Sequence, residues 1–114
     1  MKPGDMVLVR FPQTDLHSGK LRPALVIAKT PGRYGDLLLA LVSSRTYQAI
    51  PDFDEIICSS DSDYIASGLK TPSVVRLGRL ATVETSVVNA RLGRISSRRM
   101  RDIRDRLTEW LAHE

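Results

Sequence analysis

A chain of 114 residues is long enough to close one hydrophobic core and too short for two, so a single functional site is expected. Hydrophobic residues make up 42% and charged residues 26%, an ordinary globular balance, and no apolar run approaches the roughly 18 residues that a membrane span needs. The net charge of +4, with 13 arginines among the 17 basic residues, leaves a polyanionic partner open, because a guanidinium fork suits phosphate better than an ammonium does.

The opening Met1-Lys2-Pro3-Gly4-Asp5 lacks the apolar stretch of a signal peptide, and a single cysteine, Cys58, cannot close an internal disulfide; both point to the cytoplasm. Asp5 to Phe11 alternates with a period of two and predicts a strand that Pro12 stops. Gln13 to Lys20 is a polar loop of the kind that often carries function. Arg22 to Lys29, with Ala-Leu-Val-Ile at its centre, predicts a strand buried on both faces, and Leu37 to Ser43 its hairpin partner across the turn-forming Pro31 to Asp36. Glu55 to Cys58 reads as a short strand and Ser59 to Thr71 as an irregular crossing loop. Ser73 to Thr85 is a long β-branched strand with a bulge or corner expected at Gly78, and Arg91 to Ile95 is one more short strand. From Ser96 the period changes: Met100, Ile103, Leu107, Trp110 and Leu111 recur at helical spacing, with Ser96 or Ser97 as N-cap. The sum is a mainly β, α+β fold of five to seven antiparallel strands forming a small barrel over about 4–95, covered by an amphipathic helix over about 96–113, in one domain spanning 1–114.

Arg22 stands where the polar loop meets the buried strand, and Pro23 restricts it towards extended backbone angles, which gives its guanidinium a stiff base. The alternative is a strand-edge arginine paired with Asp15. Ser43, at the end of the neighbouring strand, can bring a hydroxyl to the same rim; without a histidine in triad order it suits phosphate orientation and not acyl chemistry. His17, in the loop before Arg22, could move a proton near neutrality, whereas His113 sits in the fraying terminus. No His-x-x-x-His pair, second cysteine or calcium loop suggests a metal, and no Gly-Lys-Ser/Thr suggests a nucleotide site; no cofactor is expected. Asp61 and Asp63 read as solvated, Cys58 as a small structural residue, and Arg98 to Arg106 as a solvated helix face laced by i,i+4 pairs. Arg76, Arg79, Arg91 and Arg94 face only Glu84 in sequence and could extend a basic groove. With aromatics at 5%, a broad stacking platform is not expected; arginine, backbone groups and Tyr47 or Tyr64 would have to serve.

Four segments in order resemble the MazF/PemK family of toxin-antitoxin endoribonucleases: Gly4 to Val9, Arg22-Pro23-Ala24-Leu25-Val26-Ile27, Ser67 to Leu77 and Leu92 to Ser96. The resemblance implies an SH3-like barrel, a homodimer, and metal-independent, sequence-specific cleavage of single-stranded RNA through its own 2′-hydroxyl, inhibiting growth. It places the family's catalytic arginine on Arg22 and its hydroxyl partner, usually threonine, on Ser43. Substrate contacts would fall on Asp15, His17, Ser18, Lys20, Arg45, Lys70 and Arg76. A cognate antitoxin with an acidic, partly disordered segment would hold such a toxin inactive, and any DNA contact would come through that antitoxin. Two rival readings on the same barrel are a gyrase-poisoning toxin and a non-catalytic nucleic-acid-binding module, neither of which needs Arg22 and Ser43 together.

Overall fold

A computed structural model describes residues 1–10 and 20–114. The expected ends fall mostly where the local patterns break. β1 is Asp5–Val9, β2 Arg22–Lys29, β3 Leu37–Ser43, β4 Glu55–Ile57, β5 Ser73–Val83 and β6 Val88–Arg94; α1 is Tyr64–Ser67 and α2 Ser97–His113. The crossing loop thus contains one helical turn that its polar composition did not announce. Short 3₁₀ turns at Thr46–Gln48 and Thr85–Val87 complete the elements.

All strand pairings are antiparallel, in the order β4-β5-β3-β2-β1-β6. The sheet curls into a barrel-like shape without closing by strand pairing, since β4 and β6 remain edges among the described residues. α1 packs beside β6, and the Arg99 guanidinium donates to the Ile56 carbonyl on β4.

The apolar run in β2 is explained by two cores. Leu25 and Ile27 join Met6, Ala40, Val42, Val75 and Leu77 on the face covered by α2, which contributes Met100, Ile103 and Leu107. Ala24 and Val26 join Val7, Val9, Leu37, Leu39 and Val83 on the other face. Each fully buried aliphatic side chain contributes roughly 1.5–3 kcal/mol by leaving water, so three helix anchors suffice to seat α2. Ser96 starts that helix, its hydroxyl accepting from Arg99 N at 3.1 Å. Phe53 meets Trp110 edge-on near its end, with ring centroids 5.2 Å apart. No helix among the described residues is long and apolar enough to cross a membrane.

The bulge expected at Gly78 is present. β3 pairs Ala40 with Leu80 but Leu41 with Arg76, so Leu77 to Arg79 are extra residues on β5. Two other glycines have a different task, because the end of α1 lies directly against β6. A Cβ on Gly93 would stand 2.1 Å from the Ala66 carbonyl oxygen, and one on Gly68, which has φ of 76°, would stand 2.1 Å from the Leu92 oxygen. Both obstacles are backbone and cannot rotate away. Gly93→Ala is therefore expected to cost about 3 kcal/mol or more in a urea titration. Gly78→Ala, whose new methyl would meet only Phe53 Cε2 at 3.8 Å, should stay within about 1 kcal/mol of wild type.

Candidate active site

β2 and β3 pair with Ala24 opposite Leu41 and Leu25 opposite Ala40. Continuing this register by two residues puts Arg22 across from Ser43, at the end of the sheet where β1 contributes Val9 opposite Arg22. The pairing follows from local rules: a turn-rich connection of seven residues, Thr30 to Asp36, joins two apolar runs that alternate in step.

Arg22 is half-buried, and its Nε is buried with no hydrogen-bond partner among the described residues. A buried donor left unmade costs roughly 1–3 kcal/mol, and strain of this kind collects where a ligand supplies the missing acceptor. Ser43 Oγ accepts from Arg45 N at 3.1 Å. That bond occupies a lone pair and orients the hydroxyl while leaving its proton available to an incoming acceptor.

Both residues line a cleft of about 380 Å³. Its walls are aliphatic, formed by Leu8, Pro23, Val42, Leu69 and Leu92, and its polar groups come from Arg22, Ser43, Lys70, Thr71 and Ser73. Lys70 reaches it on a loop tied to itself: Ser73 Oγ donates to the Thr71 carbonyl at 2.9 Å and Leu69 N donates to Ser67 Oγ at 3.2 Å. The Gly68 and Gly93 contact sets that loop against β6. Sequence reasoning named Arg22, Ser43 and Lys70 but passed over Thr71, Ser73 and the leucine walls, because their convergence depends on how β1, β5 and β6 meet. An aliphatic slot with a cationic end can hold a flat apolar ring and an anion together.

The remaining expected contacts divide. Arg45 is exposed, two residues beyond Ser43, and Lys20 is exposed just before β2. Asp15, His17 and Ser18 lie outside the described residues. Arg76 is not at the cleft: its Nε bonds Asp54 Oδ2 at 3.1 Å and its Nη1 bonds Gln48 Oε1 at 3.2 Å. The basic groove drawn from Arg76, Arg79, Arg91 and Arg94 does not form as such. Arg91 and Arg94 converge on Asp5 at 3.3 and 2.7 Å, leaving Arg79 as the exposed member without an ion pair among the described residues. Burial is the largest influence on the Asp5 carboxyl and works to raise its pKa. The Lys2 N–H and the two arginines together still hold it below the usual range.

The helix face also departs from the local expectation. None of the i,i+4 pairs among Arg98 to Arg106 is made; Arg99 turns inward instead and reaches Glu55, Asp61 and Asp63 at 2.7, 2.8 and 2.8 Å. Arg106 reaches Glu55 at 2.7 Å. Asp61 and Asp63, expected in solvent, are thereby bound, while Cys58, read as a small structural residue, is exposed. The three carboxylates surround a guanidinium, and no group of acidic, histidine or cysteine side chains among the described residues is arranged to hold a metal ion.

A family profile of the PemK-like, MazF-like toxins of type II toxin-antitoxin systems matches residues 2–111. Among solved structures, an endoribonuclease in complex with its cognate antitoxin from Mycobacterial species superposes with a TM-score of 0.68 at 18% identity, covering 100% of this chain and 97% of that one. The Mycobacterium tuberculosis toxin MazF-mt6 gives 0.68 at 13% identity over 95% and 96% of the two chains. MazF from Deinococcus radiodurans gives 0.69 at 22% identity over 98% and 96%. At these identities the superpositions speak for the fold. No curated protein matches the chain by sequence.

Proposed function

The chain belongs to the PemK-like, MazF-like toxins of type II toxin-antitoxin systems, and from that premise we propose that it is an endoribonuclease that cuts single-stranded RNA at chosen sequences in the cytoplasm, with Arg22 and Ser43 as its catalytic pair. The observation that carries this reading is the buried Nε of Arg22, without a partner among the described residues, in the lining of a cleft it shares with Ser43.

RNA brings its own nucleophile. The 2′-oxygen forms a bond to phosphorus as the bond from phosphorus to the 5′-oxygen breaks, giving a 2′,3′-cyclic phosphate and a 5′-hydroxyl; one proton leaves the 2′-hydroxyl and one reaches the departing oxygen. The protein needs to hold the phosphate in line and to stabilise the charge that gathers on its oxygens. Arg22 does the second by directing its fork at those oxygens and can donate to the leaving oxygen; Ser43 donates to a non-bridging oxygen. Arginine is a poor base because its pKa lies above about 12. The first proton therefore goes either to Arg22 acting against that handicap or to His17, and a rate that falls below about pH 6.5 in wild type and not in His17→Ala selects the histidine.

Lys70, Lys20 and Arg45, with Asp15, His17 and Ser18 from the loop before β2, supply the substrate contacts in this reading. The protein acts as a homodimer held inactive by a cognate antitoxin, as the Mycobacterial endoribonuclease is found in complex with its own. Incubation of the purified protein with a long single-stranded RNA in EDTA tests the proposal. Discrete fragments ending in 2′,3′-cyclic phosphate are expected. RNA that is bound but uncut, or uncut beside gyrase-dependent DNA breaks, overturns it.

A further inference from the structure

Resting on the RNA reading of the cleft, we propose that Tyr47 is a stacking platform for a nucleobase that flanks the scissile phosphate, with Arg45 beside it for the adjoining phosphate. The cleft holds too little volume for a strand, so bound RNA must leave it over the surrounding surface. The chain that follows Ser43 is that surface on one side.

Residues 43–49 form a hydrogen-bonded turn. Ser43 Oγ accepts from Arg45 N, Ser44 O from Thr46 N at 2.9 Å, Arg45 O from Gln48 N at 3.0 Å and Thr46 O from Ala49 N at 3.1 Å. The turn is braced from the sheet as well. Arg76 on β5 donates to Gln48 Oε1, and Arg76 is itself held by Asp54, whose fully buried carboxylate also accepts from Leu77 N and Ile50 N, each at 2.9 Å. Arg76, expected to touch substrate, thus acts on the segment that carries Tyr47.

Tyr47 is 79% exposed on this turn, and Arg45 has no ion pair among the described residues. Tyr47 is four residue steps along the chain from Ser43, a reach of at most about 14 Å. A ring held out in water on a rigid support stacks a base without first losing much freedom, and an adjacent guanidinium adds attraction for the backbone. Tyr64 cannot serve, because it packs against the main core. Tyr34 is 85% exposed but sits in the connection between β2 and β3, at the far ends of strands about 25 Å long. It is a built-in control.

The test is affinity for a long single-stranded RNA made uncleavable by 2′-fluoro substitution, read by fluorescence anisotropy at fixed salt. Tyr47→Ala is expected to weaken binding about 5- to 150-fold, with Tyr47→Phe close to wild type, Tyr34→Ala unchanged and all melting temperatures alike. Unaltered affinity in Tyr47→Ala overturns the proposal, as does an equal loss in Tyr34→Ala. So does a Tyr47→Ala variant that loses only antitoxin affinity, which would make the ring a protein contact. If the wild-type protein binds no RNA, the RNA reading of the cleft fails, an outcome distinct from failure of the platform alone.

Discussion

Arg22→Ala is expected to lower single-turnover RNA cleavage by at least about 10²–10³-fold, the loss typical when one preorganised donor to a developing charge is removed, while leaving the protein as stable as before or slightly more so. The two halves of that result have one cause. Arg22 Nε is buried without a partner among the described residues, so its desolvation cost is not offset by any of them. In the proposed reaction that cost is recovered when a phosphate oxygen arrives. Removing the side chain therefore deletes a favourable interaction from the bound state and an unfavourable one from the free state, the trade between activity and stability expected of a site and not of a scaffold. Arg22→Lys keeps the charge but not the fork, and should recover only part of the rate. Ser43→Thr should keep most of the activity and Ser43→Ala should lose it about 10- to 100-fold, since the hydroxyl is the group in common. Cleavage that survives Arg22→Ala unchanged would show the site to be elsewhere; a large fall in melting temperature would show Arg22 to be structural.

Arg99→Met should have the opposite profile. The Arg99 side chain is 12% exposed and its guanidinium binds three carboxylates plus the Ile56 carbonyl, joining α2 to β4 and to the segment before α1. Its loss leaves Glu55, Asp61 and Asp63 close together with no common cation, and breaking a largely buried pair in this way costs about 3–5 kcal/mol. Calorimetry should show a fall in melting temperature of more than about 10 °C. The variant should also alter the acid response. Hydrogen bonding to Arg99 holds the Asp63 carboxyl at about 2, well below its ordinary value, and Asp61 is lowered first by the Cys58 N–H and then by Arg99. A carboxyl whose pKa is lower in the folded state contributes stability that is complete above its unfolded pKa of about 4 and is lost as pH falls towards 2. Wild-type stability should thus decline between about pH 5 and pH 2. In Arg99→Met that decline should be shallower, with the part due to Asp5 remaining. An unchanged acid limb would show that Arg99 does not set the Asp63 carboxyl.

Asp63 and Arg99 show where reading along the chain stops. The two are 36 residues apart, and Glu55 is 44 from Arg99. Spacing on a helix suggested the pairs Arg98 with Asp102, Arg101 with Asp105 and Asp102 with Arg106, because i,i+4 geometry is all that a sequence offers. The fold overrode it by bringing a whole acidic loop to the helix N-terminus. Arg91 and Arg94 were misread for the same reason: Asp5, which binds both, is 86 and 89 residues away.

The patterns that held are those set by a few neighbouring residues. β2 and β3 fall on their apolar runs, α2 begins at the change of period and at its serine cap, and the Gly78 bulge lies where a glycine interrupts β-branched residues. Even the opposition of Arg22 and Ser43 was legible, since a hairpin register is determined by two alternating runs and the turn between them. What tertiary structure alone decided is everything that depends on non-neighbouring strands: the leucine walls of the cleft, the Gly68 and Gly93 contact that seats the Lys70 loop, and the brace from Asp54 through Arg76 to the turn carrying Tyr47. Sequence by itself determined the strands, α2 and the placement of Arg22 and Ser43 at strand ends, but not α1, because backbone periodicity and turn chemistry act over short spans. Which of thirteen arginines hold the fold through ion pairs depended on where distant carboxylates came to rest.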